Sequence, residues 1–119
     1  MTTYTTQYGK GREGYEAETI IELGPELDHF GRPGTRVLNI STHKSSRGVL
    51  TTARAYIRTS DGLMSTDVFG DYQKTLALHK NRCTENFVRS QHEQALAYQA
   101  REVIAEAKAR YGIAEAELA

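Results

Sequence analysis

From Val49 to Tyr72, apolar and polar positions alternate in two runs rich in β-branched and aromatic residues, separated by Asp61-Gly62. A period of two marks half-buried strands, and an Asp-Gly pair between them favours a two-residue hairpin turn. With that turn Ser60 faces Leu63, Arg58 faces Ser65, Tyr56 faces Asp67 and Arg54 faces Phe69. One face then collects Ala53, Ala55, Ile57, Met64, Thr66 and Val68, and the other Arg54, Tyr56, Arg58, Asp67, Phe69 and Asp71. The segment Arg36 to Lys44 alternates in the same way and joins Val49 through Ser45-Ser46-Arg47-Gly48. Pairing Lys44 with Val49 brings Ile40 beside Ala53 and Leu38 beside Ala55 on the apolar face, while Val37, Asn39, Ser41 and His43 join the mixed one. Three strands under one register agree on which side is the core, and a one-residue slip would destroy that agreement.

The remaining chain is patterned less sharply. Tyr15 to Leu23 alternates apolar positions with Glu16, Glu18 and Glu22, which predicts a strand, with a helical turn as the competitor. As a strand, its glutamates face Arg54 or Arg58. Gly24-Pro25 is expected to end the element, and Gly31-Arg32-Pro33-Gly34 to form a turn. Gln73 to His79 fits either a strand or the start of a helix. Thr84-Glu85-Asn86 is a helix start, the run to Arg110 contains no Gly or Pro, and Gly112 is a natural stop. Within this helix the apolar stripe shifts, from Phe87, Val88, Ala95 and Tyr98 to Leu96, Ala100, Val103, Ala107 and Tyr111. The second half is therefore expected to pack on something other than the sheet. The spacing of Ala100, Val103 and Ala107 suits a close helix contact, including one with a second copy in a homodimer.

Residues 1–14 mix Thr, Gly and Tyr and read as a flexible arm, and residues 113–119 as a frayed tail, leaving one domain over 15–112. The expected fold is α+β, an antiparallel three- or four-stranded β-meander packed against one long C-terminal α-helix.

Composition narrows the function. Fifteen basic residues balance fifteen acidic ones, so no global field draws the chain to nucleic acid or an anionic membrane. The distribution is less even than the total: residues 36–90 carry nine Lys or Arg against four Asp or Glu, and the flanks compensate. No apolar run approaches the length of a membrane span and the start lacks a signal-like apolar segment, which predicts no membrane partner. A single Cys excludes an intramolecular disulfide and fits the reducing cytoplasm, the expected location. No motif calls for a cofactor.

The mixed sheet face carries the candidate chemistry. Arg54, Tyr56, Arg58, Phe69, Asn39 and His43, with Lys44 and Arg47 at the neighbouring turn, form the candidate binding residues. Aromatic and arginine side chains on such a face are enriched in protein interfaces, which favours a non-catalytic regulator or inhibitor that binds a protein partner by this face or by a sheet edge. The same residue types serve single-stranded RNA or DNA by stacking and phosphate contact, but Asp67 and Asp71 stand near Arg54 and oppose phosphate. A third possibility is a thiol or hydrolytic enzyme centred on Cys83 and His79, although no glycine-rich or strand-turn setting for a nucleophile accompanies them. His79, Cys83 and His92 lack the paired spacing of a zinc site, so no metal is expected.

Overall fold

The computed structural model describes residues 4–28, 30–65 and 71–113. Strands β1 (Tyr4–Gly11), β2 (Gly14–Leu27), β3 (Pro33–Ser45) and β4 (Gly48–Thr59) form an antiparallel meander. Strands β5 (Met64–Ser65) and β6 (Gln73–His79) divide the remaining edge of β4 between them. Helices α1 (Glu85–Tyr98) and α2 (Ala100–Arg110) pack on one face of the resulting six-stranded sheet. The α+β class stands, with more strands than the expected three or four and two helices in place of one.

The β3–β4 hairpin has the predicted register: Lys44 pairs with Val49, Ile40 with Ala53 and Leu38 with Ala55. Its turn closes at Gly48, where φ is +136° and a Cβ would lie 2.4 Å from the His79 carbonyl oxygen. A side chain at this position would run into the end of β6.

The β4–β5 hairpin corrects the predicted one. Its loop has three residues, Ser60-Asp61-Gly62, closed by Thr59 N–H to Leu63 O at 2.8 Å and Gly62 N–H to Thr59 O at 3.0 Å. Gly62, at φ +88°, takes the left-handed position of this loop type. Ile57 consequently pairs with Ser65 and Arg58 with Met64, one residue out of the expected register. Met64 is therefore exposed instead of inward, and Ser65 takes the helix-side position. The expected pairs Tyr56/Asp67 and Arg54/Phe69, and the inward Thr66 and Val68, lie outside the described residues.

Residues 4–11, read as part of an arm, are strand β1, with Tyr8 opposite Ala17 and Thr6 opposite Thr19. Strand β2 runs through Gly24-Pro25 to Leu27 by way of a bulge between Glu22 and Gly24. Among the described residues no strand pairs with the far side of β2 beyond Ile21, which lies opposite the start of β1, and an edge of this kind is where a sheet tolerates proline. Pro33 belongs to β3, opposite Leu27, so the turn expected at residues 31–34 shrinks to the loop before it. In that loop the Asp28 carboxylate accepts hydrogen bonds from the Phe30 and Arg32 backbone N–H groups, both at 2.9 Å. Residues 73–79, left open between strand and helix, pair with Val49–Arg54 as β6.

Thr84 caps α1 as expected, accepting from Phe87 N–H. The helix then breaks at Gln99, whose side-chain amide donates to Leu76 O at 3.1 Å. The break explains the shifted stripe. Val88, His92 and Ala95 follow the 3–4 spacing of one helix face, but the next buried position is Ala100, five residues on. An offset of one residue brings Ala100, Val103, Ile104 and Ala107 back onto the same sheet, against Ile21, Leu23, Leu38, Ile40, Ala53 and Ala55. The stripe expected to pack away from the sheet, on the N-terminal segment or on a second copy, is thus buried in the chain's own core. Fully buried Ile21, Leu38, Ile40, Val49, Val88 and Val103 each contribute roughly 1.5–3 kcal/mol on leaving water.

Candidate interaction face

The face of the sheet opposite the helices carries Glu16, Glu18, Ile20 and Glu22 from β2, Val37, Asn39, Ser41 and His43 from β3, and Arg54, Tyr56 and Arg58 from β4. Arg58 and Glu22, on strands that flank β3, join in an ion pair across it. Val37, between Glu22 and Tyr56 in register, is fully buried and does not add to the exposed surface. Arg54 donates to the Asp71 carboxylate from Nε at 3.1 Å and from Nη2 at 2.9 Å, and its guanidinium lies 5.3 Å from the centre of the Tyr56 ring. The hydrogen bond to Asp71 holds the Arg54 guanidinium even more firmly protonated than usual.

Of the predicted binding residues, Asn39, Arg54, Tyr56 and Arg58 come together at the middle of this face. The Asn39 Oδ1 is buried there without a hydrogen-bond partner among the described residues. His43 sits farther along β3, opposite Leu50. Lys44 points by strand alternation to the helix side, and Arg47 occupies the exposed β3–β4 turn, so neither joins the cluster. Phe69 lies outside the described residues.

Two adjoining hollows lie beside the cluster. One, about 370 Å³, is lined by residues of β1, β2 and β3 that include Gln7, Gly9, Glu16, Glu18, Ser41 and His43. The other, about 200 Å³, is lined by Thr5, Gln7, Glu18, Ile20, Arg58 and Met64. Gln7 and Glu18 border both, so the hollows join as one groove, which reaches from β1 across to Arg58 of β4 and Met64 of β5. Among the described residues β1 pairs with β2 alone, and its other edge leaves backbone N–H and C=O groups without a ladder partner over Tyr4–Gly11.

The thiol candidates separate. Cys83 Sγ donates to the Tyr15 carbonyl oxygen at 2.9 Å, and burial pushes its pKa up, which keeps it in the unreactive thiol form. His79 stacks edge-on against Phe87, with ring centres 6.1 Å apart. Among the described residues no three His, Cys, Asp or Glu side chains cluster as metal ligands, and no helix is long and apolar enough to cross a membrane.

The most elaborate polar cluster is one that the pattern of the sequence did not reveal. His92 is fully buried between sheet and helix, with Nε2 2.7 Å from Thr19 Oγ1 and Nδ1 2.8 Å from Thr42 Oγ1. Thr42 continues to Thr51 at 2.7 Å, where the Gln91 side-chain amide also donates at 2.9 Å, and Thr19 continues to Thr6 at 2.9 Å. Burial lowers the His92 pKa to about 4, so the ring is neutral near pH 7 and offers one donor and one acceptor. The available signal was threonine at three core-facing strand positions, with a polar pair, Gln91-His92, on the buried side of the helix.

Compared with known proteins, the chain matches no family profile, no curated protein and no solved structure.

Proposed function

We propose that this protein is a small non-catalytic binding module that takes up an extended segment of a partner protein as an added strand along β1, and regulates that partner by occupying the segment. The observation that carries this reading is the outer edge of β1, eight residues long and without a pairing strand among the described residues, which borders the groove of the opposite face. Strand addition uses such an edge for affinity and reads alternate side chains for specificity. Arg54, Tyr56 and Arg58 then form the far wall of the surface available to the partner. Single-stranded nucleic acid on the same face is the weaker reading, because Arg54 and Arg58 are already matched by Asp71 and Glu22. A thiol enzyme is weaker still, given that Cys83 is half-buried with its pKa pushed up.

The test is to select binders from a displayed library of random ten-residue segments and map them by amide hydrogen exchange on the whole chain. Bound segments should slow exchange along Tyr4–Gly11. Binders that protect the helices and leave β1 unchanged would overturn the assignment.

A further inference from the structure

Resting on the strand addition proposed above, we infer that the accepted segment is basic, with lysine or arginine at alternate positions reaching the carboxylates of Glu16 and Glu18. On the groove side β1 presents Gln7, Gly9 and Gly11, with Gln7 opposite Glu18 and Gly9 opposite Glu16. The two glycines leave this part of the outer strand bare. A Cβ at Gly9 would meet nothing within 4 Å, and one at Gly11 would fall 2.7 Å from the carboxylate carbon of Glu16. The Glu16 carboxylate therefore lies over β1, beside Gly11.

Neither Glu16 nor Glu18 has a hydrogen-bond or ion-pair partner among the described residues, whereas Glu22 and Glu26 of the same strand are paired with Arg58 and Arg36. The Arg58 to Glu22 pair also supplies the geometry. It joins a cation on β4 to a carboxylate on β2 over the intervening β3, a reach of two strand spacings, roughly 9.6 Å. A strand added outside β1 lies the same two spacings from β2 on its other side. A long basic side chain on that strand has a clear lane over Gly9 to Glu16, and a second, two residues along, passes Gln7 to Glu18. Lys10 at the rim of the hollow does not fill this place, because alternation directs it to the opposite face.

Four eight-residue peptides test this on the full chain: Lys at alternate positions with Thr and Val between, the same with Gln for Lys, the same with Glu for Lys, and the Lys peptide N-methylated throughout its backbone. Amide shifts of the isotope-labelled protein give both affinity and location. The Lys peptide should bind about tenfold more tightly than the Gln peptide at low salt, with shifts along Tyr4–Gly11, and the Glu and N-methylated peptides should bind weakest. In the double variant Glu16→Gln, Glu18→Gln the Lys and Gln peptides should become equal. Gly9→Thr, which the open space accommodates, should lower the Lys peptide to the Gln level. Equal binding of Lys and Gln peptides to the unaltered protein would overturn the charge preference and leave strand addition standing. Tight binding of the N-methylated peptide, or of none of the four, would overturn both.

Discussion

His92 shows how one buried side chain can set a property of the whole molecule. In an unfolded chain its imidazole titrates near 6.5, but between Thr19 and Thr42 it does so at about 4. The unfolded state therefore binds the proton first on acidification, so the contribution of this residue is complete above pH 6.5 and is lost as the pH falls toward 4. At about 1.4 kcal/mol per pH unit, the loss amounts to about 3 kcal/mol. Urea midpoints measured between pH 7 and pH 4.5 should fall accordingly, and His92→Gln should show a much flatter profile over that interval. A midpoint independent of pH in the unaltered protein would rule out a neutral, sequestered ring. Arg36 is a second residue that alternation alone could not place. It lies on the helix side of β3, is almost fully buried, donates to Glu26 at 2.6 and 2.9 Å, and stacks 3.7 Å from the centre of the Tyr111 ring. Hydrophobic patterning locates apolar residues, and the polar groups that share a core are found only when their partners from distant segments are known.

Among the elements, what could be read from the sequence depended on whether two independent signals agreed. The β3–β4 register followed because loop length and alternation gave the same pairing. At β4–β5 they did not: Asp61-Gly62 suggested a two-residue turn, and the third loop residue, Ser60, shifted every later position by one. Strand β1 was hidden by Gly9 and Gly11, which lower strand propensity, and the helix break by the absence of Gly or Pro at Gln99. The β4–β5 loop can be tested directly. A Cβ at Gly62 would touch nothing within 4 Å, so Gly62→Ala carries only the backbone cost of a positive φ, about 1–2 kcal/mol in unfolding free energy. Gly62→Asn should cost less, since asparagine visits that conformation more readily. Equal stability of the alanine variant would mean that the loop does not need its left-handed residue.

For the molecule as a whole, the sheet has one face covered by the helices and one that they leave uncovered, and the candidate site lies on the second. Its arginines and Tyr56 were legible because they alternate with core residues in a correctly registered hairpin. The carboxylates that neutralise them come from β2 and from Asp71, and that arrangement emerges only when the strands are assembled. Local neutrality leads to a further expectation. A labelled oligothymidylate titrated at low salt should show no binding, and tight binding that weakens steeply with salt would restore the nucleic-acid reading. The two sides of the sheet also differ in a way that bears on self-association. β1 offers one continuous border without a register shift, whereas the opposite border is split between two-residue β5 and a bulged β6. A copy that used β1 to join a second β1 would exhaust the only such border described in each molecule. Growth would then halt at a pair, and a fibril built by repeated head-to-tail stacking would lack its second surface.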